Sequence, residues 1–172
     1  MKLEEAKSEF CVVSDEELFL SGKALGELLR ATLEKGAPFR FLVKGFSMSP
    51  FIRDGDIVTI SPLSCAKTLF GKAVAFIHPC AEKLIIHRVI KQLKGCYLIK
   101  GDSLFYPDGF IPNENLLGFV SKVERKGRKV RLGLGKEEVL IVFLSRKRIL
   151  PFLVWCWRRI PMPIRNTLKP IL

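Results

Sequence analysis

The sequence predicts a mainly β fold that is preceded by a helix and followed by a basic, apolar helical tail. Between residues 39 and 135, short apolar runs alternate with turns that contain glycine, a spacing typical of a coiled sheet or a small barrel. The flanking residues show helical spacing of leucines on one side and mixed apolar and basic side chains on the other. The predicted strands are Phe39–Val43, Ile57–Ile60, Ala73–Ile77, Leu84–Ile90, Tyr97–Ile99, Leu117–Val123 and Lys129–Leu134.

The chain divides into three predicted parts: an N-terminal helical segment over 1–38, a β domain over 39–135 and a basic amphipathic tail over 136–172. Within the first part we predict one helix over 14–36, because leucines recur there at helical intervals and a glycine is placed to end it. The leucines with this spacing are Leu18, Leu25, Leu28, Leu29 and Leu33.

The distribution of charge predicts an anionic partner. The formal net charge is +12, and no Asp or Glu occurs from Val139 to the end. Trp155 and Trp157 stand beside Arg158 and Arg159, a grouping that suits a membrane interface. The cations are interleaved with large aliphatic side chains rather than with planar stacking groups, so no nucleic acid partner is expected. We expect an anionic membrane surface as the partner of the tail; a helix that packs on the β domain is the alternative.

The expected location is the cytoplasm or the cytoplasmic face of the membrane. Residues 1–17 are acidic and have no apolar core segment, so no secretory signal is expected. No unbroken apolar stretch reaches the roughly 18 residues that a spanning helix needs. The five cysteines are scattered and contain no Cys-x-x-Cys pair, which favours reduced, buried thiols in a reducing compartment. Neither metal-ligand spacing nor a phosphate-binding glycine loop is present, so no cofactor and no metal is expected.

One serine is placed where a nucleophile would be presented. Ser47 lies in the run Gly-Phe-Ser-Met-Ser-Pro that begins at Gly45, and a Gly-Asp turn at Gly55 leads into the next apolar strand. A constrained bend holds such a hydroxyl in one orientation. A serine hydroxyl is a weak nucleophile until a neighbouring base takes its proton, so the motif calls for a base elsewhere in the chain.

The candidate base is a histidine inside a predicted strand. His87 lies in an apolar run, whereas His78 precedes a proline in a turn. Taken alone, a histidine in a strand is more often a structural residue whose hydrogen bonds are satisfied. Two acids are candidates to orient its ring, Asp102 and Asp108, and each follows or precedes a glycine where aspartate commonly serves a turn. Lys91, four residues after His87, is the reserve base.

Together these motifs resemble the signal peptidase I and LexA-like serine peptidase superfamily. The resemblance covers roughly residues 40–123 and has three parts in order: Gly-x-Ser-Met-x-Pro with a trailing Gly-Asp, a strand with His-Arg-Val, and Lys-Gly-Asp with a further Asp. Many members have lysine as the base in the second motif. The chain has His87 there, so it resembles the Ser-His branch, which includes endoplasmic-reticulum, archaeal and sporulation-type signal peptidases.

The resemblance implies a coiled-sheet catalytic domain and a role for each site residue. Ser47 corresponds to the nucleophile, His87 to the general base and Asp108 to the acid that orients it. Asp102 corresponds to the acid of the Lys-Gly-Asp motif, with a site-shaping role or as the alternative partner of the histidine. Gly45 stands where many signal peptidases have a serine whose hydroxyl helps to bind the oxyanion.

The expected function is a serine-type endopeptidase that cleaves a polypeptide through an acyl-enzyme on Ser47. Small side chains next to the cleaved bond are what the resemblance implies for the substrate. Two alternatives stay open. One is a LexA-like regulator that cleaves itself, although that class needs a DNA-reading helix-turn-helix and the first 38 residues are expected to hold at most one good helix. The other is a non-catalytic peptide-binding module of the same fold.

Overall fold

The computed structural model of the protein describes residues 10–13, 17–20, 22–135 and 137–159. Within these ranges the backbone forms ten strands and three α-helices. The helices are α1 (Gly22–Glu34), α2 (Glu138–Arg146) and α3 (Ile149–Arg159). The strands are β1 (Phe10–Val13), β2 (Glu17–Leu20), β3 (Phe39–Leu42), β4 (Ile57–Pro62), β5 (Ala73–Ile77), β6 (Leu84–Leu93), β7 (Cys96–Lys100), β8 (Gly109–Pro112), β9 (Leu116–Arg125) and β10 (Arg128–Val130).

The described strands form one antiparallel sheet, which confirms the prediction of a mainly β fold. Their order is β2-β1-β3-β4-β9-β5-β6-β7-β8, and β10 pairs with β9 beside this path. The pairing register shifts at Thr59/Ile60 in β4, at Ala75/Phe76 in β5 and between Val89 and Lys91 in β6. Irregularities of this kind bend strands and increase their twist, so the sheet curves and has an apolar core on each face.

The first core lies between α1 and the sheet. Leu25, Leu29 and Leu33 recur at intervals of four residues and are buried, because residues four apart in a helix share one face. Burying one leucine side chain contributes about 1.5–3 kcal/mol, so this stripe is a main source of the attraction between the helix and the sheet. The sheet residues of this core include Phe41, Val58, Ile60, Ala73, Ala75, Val120 and Val123.

The second core lies on the opposite face of the sheet, which is the face to which His87 points. Val74 and Phe76 belong to it, while Ala73 and Ala75 belong to the first core, as the alternation of a strand requires. His87 is paired with Val74, and Arg88 is paired with Ala73. Directly opposed residues of an antiparallel pair share a face, so His87 and Arg88 are directed to opposite sides of the sheet.

The N-terminal segment differs from the prediction. Residues 17–20, expected in a helix over 14–36, form β2, and the helix begins at Gly22. The apolar run at Leu18 is stabilised instead by pairing with β1, which itself pairs with β3. Residues 14–16 of the predicted helix lie outside the described residues. The sheet thus crosses the predicted boundary at residue 38.

The tail contains two helices, of which one face packs back on the β domain. Ile141 of α2 and Leu150 of α3 are buried with Phe51, and Glu138 forms an ion pair with Lys72 at 3.4 Å. Arg148, with φ of +60°, makes the turn between the helices. Residues 160–172 of the predicted tail lie outside the described residues. Among the residues that the structure describes, no helix is long and apolar enough to cross a membrane.

The expectation of buried cysteines is wrong for part of the chain. Cys65 and Cys80 are exposed, and Cys96 and Cys156 are half-buried. All four lie at turns, strand ends or helix positions rather than on core-facing strand positions. The thiols of these four residues are free.

Candidate active site

The turn that carries Ser47 lies between β3 and β4 and needs glycine before the serine. Gly45 has φ of +109°, a conformation that residues with a side chain rarely adopt. Its N–H donates to Asp54 Oδ1 at 2.8 Å, and the N–H of Ser49 donates to the carbonyl of Phe46 at 3.1 Å. Ser47 itself is half-buried. The serine therefore lies on a bend whose backbone is held on both sides.

The far end of this loop is fixed by an ion pair that the sequence did not suggest. Asp56, the acid of the Gly-Asp turn, is buried and accepts two hydrogen bonds from Arg125, at 2.8 and 2.7 Å. Arg125 also donates to the carbonyl of Phe51 at 3.1 Å, and the N–H of Arg53 donates to Asp56 at 2.8 Å. A bidentate guanidinium–carboxylate pair is directional, so it fixes the loop position relative to β9.

His87 and Asp108 are in direct contact. The distance from His87 Nδ1 to Asp108 Oδ2 is 2.7 Å, and the side chains are only 6% and 13% exposed. The N–H of Asp108 donates to the carbonyl of Ile99 at 2.9 Å, which fixes the backbone next to this carboxylate. A proton on Nδ1 is donated to the carboxylate, and this tautomer leaves Nε2 with a lone pair. The histidine is thus oriented and equipped as a base.

Asp102 makes a different contact. It accepts two hydrogen bonds from Arg88, at 2.9 and 2.8 Å, and both side chains are fully buried. Arg88 also donates to the carbonyls of Gly71, at 2.7 Å, and Gly133, at 3.1 Å. The alternative in which Asp102 orients His87 is wrong in this structure, because Asp102 lies on the face of the sheet to which Arg88 points. Its site-shaping role remains a prediction.

The segment after β7 contacts the backbone of the serine turn. The N–H of Ser103 donates to the carbonyl of Ser47 at 2.8 Å, and its hydroxyl donates to the carbonyl of Phe46 at 2.8 Å. A side chain at Gly101 would place its Cβ 2.9 Å from the carbonyl oxygen of Ser47, which explains the glycine. Gly101 of the Lys-Gly-Asp motif and Ser103 directly after the motif therefore pack against the backbone of the serine turn.

The connection from β7 to β8 thus joins the three motifs. It begins with Gly101 and Ser103 against the serine turn and ends with Asp108 on His87. Asp102 lies between them and is held by Arg88, the residue next to the histidine. Sequence reasoning missed Ser103 and Arg88. The signal for Arg88 was its place beside His87, which puts it on the opposite strand face, where its charge needs a partner.

A contact between a lysine and a serine joins the β domain to the tail. Lys100 Nζ is buried and donates to the hydroxyl of Ser145 at 2.7 Å and to its carbonyl at 3.0 Å. Burial lowers the pKa of Lys100 below its usual value, the charge of Asp102 opposes this shift, and that of Arg148 adds to it. Ser145 lies in the last turn of α2, where a lysine commonly satisfies a free carbonyl.

The reserve base Lys91 does not reach the site. It is exposed and follows the register shift of β6, which breaks the alternation that its spacing from His87 assumed. Within the described ranges, no group of three or more His, Cys, Asp or Glu side chains is arranged to hold a metal ion.

Comparison of the chain with protein-family models gives no match, and comparison with curated proteins likewise gives none.

Proposed function

We propose that this protein is a serine endopeptidase of the signal peptidase type, with the LexA-like coiled-sheet fold that its motifs resemble. The observation that carries the proposal is the 2.7 Å contact of His87 Nδ1 with Asp108, two side chains that are largely shielded from water. A carboxylate in this position holds the imidazole in one tautomer and stabilises its cation during proton transfer.

The proposed reaction uses the serine as nucleophile. Ser47 Oγ attacks the carbonyl carbon of the scissile peptide bond while His87 Nε2 takes its proton. The histidine then gives that proton to the leaving amine, and an acyl-enzyme on Ser47 remains. A water molecule, deprotonated by the same nitrogen, attacks the ester and releases the second product. The substrate is an extended polypeptide segment.

The negative oxygen of the intermediate needs a donor, and the backbone of the serine turn supports one. The carbonyl of Phe46 is held by the hydroxyl of Ser103, at 2.8 Å, and belongs to the same peptide plane as the N–H of Ser47. Fixing the carbonyl fixes the direction of that N–H. We propose the Ser47 N–H as the oxyanion donor, since Gly45 supplies no hydroxyl. Loss of one such donor typically lowers the rate about 100- to 1000-fold.

Gly45 also favours a second candidate function, that of a non-catalytic peptide-binding module. Its φ of +109° suits glycine and strains a serine, so the loop is built without the second hydroxyl of many signal peptidases. A binding module needs the groove but not the nucleophile. The two candidates differ in one measurable property, which is formation of an acyl-enzyme.

The test is the rate at which a small activated ester acylates the purified chain, followed by intact mass. We expect loss of acylation in Ser47→Ala and a large decrease in His87→Ala. Ser49→Ala is the matched control, because Ser49 is a half-buried serine of the same turn, and it should react at the wild-type rate. Acylation that persists in both Ser47→Ala and His87→Ala would reject the dyad, and a wild type that never reacts favours the binding module.

We further propose that the enzyme acts in the cytoplasm or at the cytoplasmic face of the membrane. The basic tail and the free thiols of the described cysteines support this location.

A further inference from the structure

The outward face of the tail carries large apolar side chains that the fold does not use. Helices α2 and α3 bury one face through Ile141, Val142 and Leu150, as core packing requires. On their other face, each large apolar side chain is more than two-fifths exposed to solvent, although clusters of such side chains are rarely exposed on soluble proteins. We call this set the outer face; its members are Val139, Leu140, Phe143, Ile149, Phe152, Leu153 and Trp155.

Cations border the outer face, and acids are missing from it. Arg146 ends α2, Lys147 and Arg148 form the turn that follows, and all three are exposed. Arg159 lies over the ring of Trp155 at 4.3 Å, so a cation and an aromatic ring are presented together. Between Val139 and Arg159 the sequence has no Asp or Glu, so every charged residue of α2 after Glu138 and of α3 is a cation. A surface of this composition suits an anionic, apolar partner.

A groove beside α2 combines both properties at one place. Its volume is about 490 Å³, and it is lined by Phe70, Val139, Val142 and Phe143 together with Arg146 and Lys147. An apolar floor with two cations at its border fits an amphiphile that has an acyl chain and an anionic head. A folded protein partner would have to supply both features from one surface segment, whereas a phospholipid carries them in one molecule.

The lengths of the helices decide the mode of contact. At about 1.5 Å per residue, neither helix comes near the roughly 30 Å of a bilayer core. An amphipathic helix with a basic border instead lies in the interface plane, with its apolar face in the headgroup and acyl boundary. The ion pair of Glu138 with Lys72 and the bonds of Lys100 to Ser145 hold α2 on the β domain, so the outer face stays outward.

We propose that the outer face docks the protein flat on an anionic phospholipid membrane, through α2 and α3 and without crossing the bilayer. The proposal does not depend on the peptidase activity. It also predicts where the candidate site lies: Arg148 stacks on the ring of Tyr106 at 5.3 Å, and Tyr106 belongs to the connection that leads into Asp108. Docking brings that connection next to the lipid surface.

The experiment is flotation of the full chain with vesicles of phosphatidylcholine alone or mixed with phosphatidylglycerol. We expect binding to the mixed vesicles, weaker binding to the neutral ones, and release by high salt, which screens the attraction. Replacing both Leu140→Ser and Leu153→Ser, which are 58% and 55% exposed, should weaken binding more than tenfold. The matched control is Leu28→Ser with Leu93→Ser, two exposed leucines outside the tail, which should leave binding unchanged.

The cations are tested in the same assay. Arg146→Gln with Lys147→Gln should weaken binding to mixed vesicles about 25-fold, since one cation near such a surface is worth about fivefold. Lys67→Gln with Lys94→Gln, which removes two exposed cations elsewhere, is the control. Absence of binding by the full chain overturns the proposal, and so does equal binding to both vesicle types. Light scattering tests the alternative occupant. If the wild-type chain is dimeric and the variant with both serine replacements is monomeric, the outer face binds a second copy of the chain instead of a membrane.

Discussion

Replacing Asp102 by asparagine is predicted to lower the stability of the fold, whereas replacing Asp108 by asparagine is predicted to lower the acylation rate. Asp102 is fully buried and neutralises Arg88, which is also fully buried. Asp108 contacts His87 near the surface of the site, and its side chain is 13% exposed. Asparagine has the shape of aspartate without its charge. The two replacements therefore separate the charge that stabilises the fold from the charge that the proposed chemistry needs.

The magnitudes follow from what each replacement leaves behind. Asp102→Asn leaves the Arg88 cation buried without its counter-charge, which costs about 3–5 kcal/mol of unfolding free energy. Asp108→Asn leaves a neutral hydrogen bond in place of a charge-assisted one and costs about 1 kcal/mol. In the proposed mechanism, however, the uncharged amide that replaces the Asp108 carboxylate neither stabilises the imidazolium nor fixes the tautomer, so acylation should slow about 10³- to 10⁴-fold.

The assay combines urea denaturation, followed by circular dichroism, with acylation of Ser47 by a small activated ester. The expected pattern is crossed: Asp102→Asn loses stability, while Asp108→Asn keeps most of its stability and loses rate. Measurement under conditions where each variant is folded removes unfolding as a cause of slow acylation. An Asp108→Asn chain that reacts at the wild-type rate would refute the assignment of this residue. If the folded Asp102→Asn chain loses its acylation rate and the Asp108→Asn chain does not, Asp102 is the acid that orients His87.

Three further predictions concern residues around the site. Ser103→Ala removes the hydroxyl that donates to the Phe46 carbonyl, so it should lower the unfolding free energy by about 0.5–1.5 kcal/mol and slow acylation about tenfold. Ser103→Thr keeps a hydroxyl and should recover both properties. Equal loss in the two variants would contradict a hydrogen-bonding role. Gly101→Ala puts a Cβ 2.9 Å from the Ser47 carbonyl and should cost about 1–3 kcal/mol in urea denaturation; an unchanged midpoint would mean that the turn yields freely. Because the pKa of Lys100 is lowered on folding, the unfolded chain binds the proton more tightly, so this residue should make stability rise as pH increases towards the usual lysine pKa. Lys100→Met should flatten that rise in urea midpoints taken between neutral and alkaline pH, and parallel curves for the two chains would contradict the shift.

Strand positions followed from local patterns where the apolar runs were uninterrupted. The predicted strands at Ala73–Ile77 and Leu84–Ile90 correspond to β5 and β6. Four consecutive residues of β5 are buried, because a central strand with a core on each face is apolar at every position. The short strand β8 was missed because Gly109–Pro112 begins with glycine and ends with proline, which are turn signals in isolation. Residues 17–20 fitted a helical period, and their pairing with β1 depends on a partner that no local pattern identifies.

The candidate site was predictable as a set of residues but not as a set of contacts. Alternation along β6 already implied that His87 and Arg88 point to opposite sides. Which of Asp102 and Asp108 lies on which side depends on the path of the connection between β7 and β8, and neighbouring residues do not determine that path. The bond between Lys100 and Ser145 joins positions 45 apart in the chain, so only the packed helix brings it about.

The most direct test of the central claim is to identify the residue that carries the acyl group. The wild-type chain is mixed with a small activated ester, quenched in acid, digested and mapped by mass spectrometry. The proposed mechanism predicts one acyl group on Ser47, formed faster than any other and lost with time as water hydrolyses the ester. Acylation that is confined to lysines or to the exposed cysteines, with Ser47 unmodified, would contradict the claim that this protein is a serine endopeptidase.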